Sequence, residues 1–271
     1  MSTSITAAFI KQYSDDVTHL ASQHKSKFME NVRVHRDVGG STYDFHKMAG
    51  LTAATRTAGS SAEVTGLDAA STVVTATLAD FEVPIYAQKF DLLKTNVDAV
   101  KEYQVETVAA MNRKFDDIII AAMAAGATTT LPTTAGGLTY AKLLEALTFF
   151  NTNDVDQEDR IFAVSPKGLT EALGIAQLTS QDYVQMQGIM SGNIGSVLGM
   201  KWVLSTRLPI ATLARTCFAY NKKTVGLAVG KEIATEINYV PQRVSHLINT
   251  LASAGAVVID PLQIAKMTTN E

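Results

Sequence analysis

The chain has 271 residues, of which 46% are hydrophobic and 18% are charged, and its formal net charge is −3. This composition excludes a disordered chain, and at roughly 150 residues per domain the length predicts one large or two small domains. The charge balance excludes a strongly basic nucleic-acid-binding protein, and the single cysteine excludes an internal disulfide or a multi-cysteine metal site.

Residues 4–24 predict a helix with one apolar face. The apolar residues recur at spacings of three and four, which is the helical period: Ile5, Phe9, Tyr13, Val17 and Leu20. An isolated helix of this length is marginal in water. The apolar face therefore needs a partner surface, either on its own subunit or on a neighbour.

No targeting or membrane segment is expected. The chain starts without a basic stretch followed by an apolar run, as a signal peptide would have. No uncharged stretch reaches the roughly 18 strongly apolar residues of a spanning helix. The one cysteine, Cys217, lies in an apolar stretch and is predicted to be a buried thiol of a protein that folds in a reducing cytoplasm.

Residues 31–90 predict long strands around a loop of small residues. The pattern alternates at 31–36, at 42–46, where Tyr43 and Phe45 share one face, and again from 73 to 85. Residues 49–78 are mostly Ala, Thr, Ser and Gly. A flexible tip is expected at 57–61. Because this region has almost no large apolar residues of its own, it must project from a domain or lie on another chain.

The strongest predicted element is a helix over residues 96–125. One face carries Val97, Val100, Gln104, Val108, Met111, Phe115, Ile118 and Ala122. Thr95 or Asn96 is a candidate N-cap, and Gly126 is a candidate end. At 1.5 Å per residue the helix is about 45 Å long.

A Thr, Pro and Gly-rich linker at 126–139 is a candidate domain boundary, and helices and strands alternate after it. Helices are predicted at 140–151, 166–173 and 181–189, and strands at 160–165, 201–205, 217–221 and 232–240. The first of these helices is amphipathic, with Leu143, Leu144, Leu147 and Phe150 as its apolar residues. Residues 247–267 are expected to return as strands to the domain of the long helix, with turns at Gly255 and at Asp260-Pro261.

The sequence offers no catalytic set. The five histidines, His19, His24, His35, His46 and His246, have no metal-ligand spacing. The glycines at 188, 192, 195 and 199 do not fit a phosphate-loop or dinucleotide fingerprint and are interpreted as a tight connection. The paired acids Asp116-Asp117 and Glu158-Asp159 are expected on solvated faces. We therefore predict no catalytic residue, no cofactor-binding residue, no metal site and no cofactor.

The order of these parts resembles a known family. The opening MSTSITAAFIKQY, the stretch from Gly188 to Pro209 and the ending from Ala254 to Pro261 are each similar to segments of the major capsid proteins of tailed bacteriophages. These proteins have the Hong Kong 97-type fold, which encapsulin shells share. The resemblance covers essentially the whole chain. A low charge fraction and a projecting region without a core agree with a protein that binds copies of itself.

The resemblance implies an α+β, Hong Kong 97-like capsid fold. Its parts would be an N-terminal arm at 1–30, an extended β-hairpin loop with flanking strands at 31–90, a peripheral domain with a spine helix at 91–137, an axial α/β domain at 138–230 and return strands of the peripheral domain at 231–271. The family's crosslinking Lys and Asn pair cannot be transferred to this sequence. The family's long N-terminal scaffolding segment is not seen, so a separate scaffold protein or none is expected.

The function that the resemblance implies is a structural protein, not an enzyme, that self-assembles into the icosahedral shell around the double-stranded DNA of a tailed bacteriophage. Its partners would be itself, in hexamers and pentamers, the portal, scaffold or decoration proteins and, non-specifically, the packaged DNA, with no membrane. It would be assembled in the bacterial cytoplasm and reside in the virion. The alternatives are an encapsulin-like compartment, a cytosolic α/β enzyme that binds a ligand through 192–199, and a fibre or tube protein.

Overall fold

The computed structural model describes residues 22–53, 66, 68–89, 99–131, 136–175, 196–212 and 214–270. In these ranges the chain forms helices α1 (Ala99–Gly126), α2 (Tyr140–Thr152) and α3 (Pro166–Leu173). The strands are β1 (Arg33–His35), β2 (Thr42–Met48), β3 (Ser71–Thr77), β4 (Ala79–Gln88), β5 (Thr129–Thr130), β6 (Arg160–Val164), β7 (Ser196–Val197), β8 (Met200–Leu204), β9 (Ile210–Ala211), β10 (Ala214–Asn221), β11 (Val225–Val240), β12 (Ser245–Val258) and β13 (Ile264–Asn270). The α+β class is confirmed.

A four-stranded sheet with the order β1-β11-β12-β4 supports the long helix α1. Strands β11 and β12 form a long antiparallel hairpin, and β4 pairs antiparallel with β12. The helix face that meets this sheet buries Met111, Phe115 and Met123. At 1.5 Å per residue, α1 is about 42 Å long, so it spans the sheet along most of its length.

A second sheet has the order β5-β13-β10-β6-β8-β7, and β9 pairs with the first two residues of β10. Every residue of β6 is buried, which is typical of a strand covered on both faces. Helix α2 is capped by the Thr139 hydroxyl, which accepts from the Lys142 backbone N–H. Its buried Leu143 and Phe150 belong to the same core as β6 and α1, so one continuous core joins both sheets.

Strands β2 and β3 form a separate antiparallel pair. Phe45 and Ala76 on this hairpin are buried in a small cluster with Ala228 and Ile259. The predicted alternation of Tyr43 and Phe45 against polar neighbours is thus confirmed. The hairpin contributes only these few side chains to a core, as its small-residue composition predicts.

The register of two helices differs from the prediction in places. In α1, Met111 and Phe115 are buried, but Ile118 is half-buried and the neighbouring Ile119 and Ile120 are buried instead. In α2, the predicted apolar face of Leu143, Leu144, Leu147 and Phe150 is wrong at Leu144, which is exposed. The buried side chain there is Lys142, whose ammonium donates to the carbonyls of Gly136 and Thr268.

The C-terminal strands also differ from the prediction. Gly255 is not in a turn but within β12, near its C-terminal end and opposite Ala228, whereas the turn at Asp260-Pro261 is confirmed. Strand β12 packs on α1 as expected. Strand β13 instead pairs with β10 in the second sheet, because its partner is chosen by long-range pairing that no local pattern encodes.

Several predictions lie outside the described residues: the helix at 181–189, the tip at 57–61 and most of the helix at 4–24. Residues 22–24, the end of that predicted N-terminal helix, are not helical. The predicted linker contains the short strand β5, which pairs with β13. Of the helices in the described ranges, none combines the length and apolar character needed to cross a membrane.

Candidate assembly surfaces

The hairpin β2–β3 and the residues after β2 carry exposed apolar side chains. The buried base of the hairpin, Phe45 and Ala76, is called its root below. Met48 is 70% exposed, Leu51 60% and Val73 49%. We call these three residues the hairpin surface. Met48 and Val73 lie on the same face of the hairpin, since Val73 is opposite His46, and adjoining exposed apolar side chains mark contact surfaces. The hairpin surface is therefore a candidate contact with another chain.

The root of the hairpin is fixed on the body by close packing. The Phe45 ring lies so close to Gly226 that a Cβ there would be 2.6 Å from the ring. A Cβ at Gly255 would overlap the backbone carbonyl of Thr77. Only a glycine at 255 lets β3 cross β12 at this distance, so Gly255 serves close backbone approach and not a turn.

An ion pair between Lys47 on β2 and Asp260 also fixes the root of the hairpin. The Lys47 ammonium lies 2.7 Å from a carboxylate oxygen of Asp260, which also accepts from the Leu262 backbone N–H and the Gln263 amide. Burial opposes ionisation of Asp260, but these hydrogen bonds and the Lys47 charge outweigh it and hold the pKa of Asp260 below its ordinary value. The carboxylate thus links the hairpin to the turn between β12 and β13.

The far end of the β11–β12 hairpin presents a second apolar surface. Ile237 and Tyr239 lie two residues apart, so they share one face of β11, and they are 43% and 48% exposed. We call these two residues the tip surface. On the opposite face, Tyr86 is covered by Arg243, whose guanidinium lies 4.4 Å from the ring centroid. The ring of Tyr239 packs beside that of His246, with 5.4 Å between the centroids, yet nearly half of the Tyr239 side chain stays exposed.

Asp116 on α1 binds residues 23–28, the segment that follows the N-terminal region, through hydrogen bonds. This carboxylate is fully buried and accepts from the Ser26 hydroxyl at 2.5 Å and from the backbone N–H groups of Lys27 and Phe28 at 3.1–3.2 Å. The Gln23 side-chain amide also donates to it. The expectation of a solvated Asp116 is wrong, because four donors of one segment replace its water.

The adjacent Asp117 points to a different neighbour. Its two oxygens accept from Nε and NH2 of Arg207, at 2.6 and 2.5 Å, and both side chains are about one-third exposed. The hydrogen bond to Asp117 is the main reason that the pKa of Arg207 is raised above its ordinary value. The two acids therefore tie α1 to two separate segments, and the sequence pattern distinguishes neither role.

The other residues that the sequence analysis singled out do not converge. Cys217 is buried as predicted, and Glu158 and Asp159 are exposed as predicted. Gly199 has a positive φ of 72° in the tight turn between β7 and β8, while the other three glycines lie outside the described residues. Within the described ranges, no group of three His, Cys, Asp or Glu side chains is placed to hold a metal ion.

Comparisons with known proteins address the family and the fold. A family model described as phage capsid protein matches residues 5–271, and no curated protein matches the chain. The fold is similar to a capsid structure of the cyanophage P-SCSP1u, with 17% identity, coverage of 100% of this chain and 96% of that chain and a TM-score of 0.81.

Two further solved structures have the same fold. One, of Mycobacterium phage Che8, has 15% identity, coverage of 97% and 98%, and a TM-score of 0.77. Another, of Gordonia phage Cozz, has 16% identity, coverage of 96% and 91%, and a TM-score of 0.74. At these identities the solved structures show a likeness of fold alone. The assignment to a family rests on the family model that matches residues 5–271.

Proposed function

The chain belongs to the phage capsid protein family, and we propose that its copies join through the hairpin surface and the tip surface. Family membership makes it a major capsid protein that forms the shell, and the virion capsid is where it resides. The finer proposal is an icosahedral shell of hexamers and pentamers. It encloses the double-stranded DNA of a tailed bacteriophage and is assembled in the bacterial cytoplasm.

The observation that carries the proposal is exposed apolar area on two β-hairpins, β2–β3 and β11–β12. The hairpin surface and the tip surface together leave Met48, Val73, Ile237 and Tyr239 between 43% and 70% exposed. Burial of apolar surface is worth roughly 25 cal/mol per Å², so contacts at these positions favour association. In a symmetric shell the same contacts recur on every copy, so modest contacts are sufficient.

The rigid root of the hairpin supports a role in assembly. An arm that binds a neighbour needs a defined direction, since each ordered group costs conformational entropy on binding. Here the close approach at Gly255 and the ion pair between Lys47 and Asp260 set that direction within the free subunit. The subunit is therefore organised for contact before it meets its neighbour.

We propose that the five regions named from the sequence correspond to functional parts of the shell subunit. The N-terminal arm is residues 1–30, the extended loop 31–90, the peripheral domain 91–137 with return strands at 231–271, and the axial domain 138–230. Support comes from the α1 helix on the first sheet and from β6, β8 and β10 in the second. Strand β13 joins the second sheet, so the return region links both parts.

The remaining partners are proposals of the same kind. They are a portal, a scaffold or decoration protein where the phage has one, and the packaged DNA through non-specific contacts. As a member of a structural family, the chain is proposed to have no enzymatic activity and to need no cofactor.

The tip surface gives the sharpest test. Tyr239→Asp places a charge on the proposed contact face, and Asn238→Asp adds a charge at the neighbouring position, whose side chain points to the opposite face. We expect both variants to give folded subunits by circular dichroism, but only Asn238→Asp to form particles in negative-stain micrographs. Normal particles from Tyr239→Asp would remove the tip surface from the assembly contacts.

The hairpin surface is tested in the same way. Val73→Asp introduces a charge among the exposed apolar side chains, and Thr72→Asp is its neighbour on the opposite face of β3. We expect particle yield to fall for Val73→Asp and to stay near wild type for Thr72→Asp. Equal yields would show that the hairpin surface is not a contact.

A further inference from the structure

A groove of about 740 Å³ lies where the N-terminal segment crosses α1 and approaches the loop after β8. Five of its lining residues are basic: His24, Lys25, Lys27, Arg113 and Arg207. The other described residues that line it carry hydroxyl or amide side chains, and none of them is acidic. On a chain of net charge −3, this is a local reversal of sign.

Three carboxylates stand behind the groove wall, and one of them is the buried Asp116, which accepts from the Gln23 amide and the Ser26 hydroxyl. Glu106 accepts from NH2 of Arg113 at 2.7 Å, and Asp117 accepts from Arg207. These pairs hold the two guanidinium groups in place at the groove wall. They also neutralise part of the guanidinium charge, so the arginines alone would make a weak anion site.

The two lysines supply the uncompensated charge. The Lys27 ammonium donates to the backbone carbonyl of Leu204 at 2.9 Å and faces no carboxylate in the described part of the chain. Lys25 is exposed and has no ion-pair partner among the described residues. The Ser26 hydroxyl and the Gln23 amide are engaged with Asp116, so the donors that accompany the two lysines in the groove are the hydroxyls of Ser22 and Thr206.

We propose that this basic groove binds the phosphodiester backbone of the nucleic acid that the shell encloses, and that the groove therefore lies on the inner face of the shell. Basic and hydroxyl side chains are the groups that contact phosphates and sugars without reading sequence. The described residues that line the groove include no Phe, Tyr or Trp, so stacking on bases is not expected of them. The inference rests on the proposed function, which puts nucleic acid next to this chain.

The lining favours nucleic acid over an acidic protein segment. Protein contacts that contribute affinity are centred on aromatic or other well-packed anchors in pockets. The lining of the groove, as far as the chain is described, offers charges and polar side chains but no large apolar side chain. A repeating phosphate backbone needs only such charges, and its binding depends steeply on salt.

The test uses purified, unassembled subunits and a fluorescently labelled 24-base-pair DNA of arbitrary sequence, with binding followed by fluorescence anisotropy. Lys25→Glu changes the groove, and Lys167→Glu makes the same change of net charge at an exposed position on α3. For wild type we expect log K to fall with log salt with a slope of about −2 to −4. Lys25→Glu should weaken binding about tenfold or more near 0.1 M salt and make the slope less negative by about 1. Lys167→Glu should leave the affinity and the slope unchanged.

Two outcomes would overturn the inference. Equal weakening by Lys25→Glu and Lys167→Glu would mean that net charge, and not the groove, governs binding. Binding of polyglutamate but not DNA, with loss in Lys25→Glu, would mean that the groove takes an acidic polypeptide. Electron microscopy of the same wild-type protein after assembly separates the two levels, because shells without groove-dependent DNA binding contradict only this inference, whereas absence of shells contradicts the proposed function.

Discussion

The buried carboxylate of Asp116 should be far more important for stability than its neighbour Asp117. Asp116→Ala leaves the Lys27 and Phe28 backbone N–H groups and the Ser26 hydroxyl without their acceptor. A buried donor without a partner costs about 1–3 kcal/mol. Because these losses are not additive and the segment can relax towards solvent, we expect a total of about 3–5 kcal/mol.

The control is the same substitution one residue later. The pair between Asp117 and Arg207 is about one-third exposed on both sides, and partly exposed ion pairs contribute about 0–1 kcal/mol. Urea unfolding of unassembled subunits should therefore separate Asp116→Ala from Asp117→Ala by at least about 2 kcal/mol. Hydrogen exchange at the Lys27 and Phe28 amides should accelerate only in Asp116→Ala.

The reasoning fails if the two alanine variants unfold at the same urea concentration. It also fails if the Lys27 amide exchanges at the wild-type rate in Asp116→Ala, because the carboxylate would then not hold the segment. A loss of stability with unchanged exchange at Lys27 and Phe28 would assign the effect to the interior of α1 and not to the hydrogen bonds between Asp116 and residues 23–28.

Three further predictions follow from the packing. Gly255→Ala should destabilise the subunit by about 1–3 kcal/mol, as overpacking does, and lower particle yield, whereas Gly50→Ala, with open space around its Cβ position, should behave as wild type in both assays. Because the pKa of Asp260 is lowered, the stability that its carboxylate contributes should be complete above the ordinary carboxyl pKa of 3.8 and be lost as the pH falls through the lowered pKa. Urea midpoints should therefore decrease with acid pH, and this decrease should be smaller in Lys47→Gln. Phe115→Ala should cost about 3–5 kcal/mol in urea unfolding, and a loss below about 1 kcal/mol would mean that the helix face is not packed.

Local patterns predicted most of the described elements. Strand β6 was predicted from a short apolar run, and helix α3 was predicted to begin at Pro166, where the structure adds a Ser165 cap. The long helix was predicted from its apolar face and from Gly126, where it ends. These signals lie within a few residues of the structure that they specify, so they can be recognised without knowledge of the rest of the fold.

The candidate site could not be predicted to the same extent, because it depends on contacts between distant segments. Asp116 and Asp117 are the same residue type in adjacent positions, and only the donors of residues 23–28 distinguish them. Gly255 carries the signal of a turn, yet the neighbour that requires it is Thr77. The buried Lys142 ammonium donates hydrogen bonds to the carbonyls of Gly136 and of Thr268, and Thr268 lies on the distant strand β13. Long-range hydrogen bonds of this kind have no local signature.

The most direct test of the central claim is electron microscopy of the purified chain together with its mass in solution. A major capsid protein that assembles through its own surfaces should give closed, uniform particles of virus size under assembly conditions, and the Tyr239→Asp variant should stay as small species. A wild-type chain that remains a monomer or a small oligomer under all such conditions, or that forms only open filaments, would contradict the account.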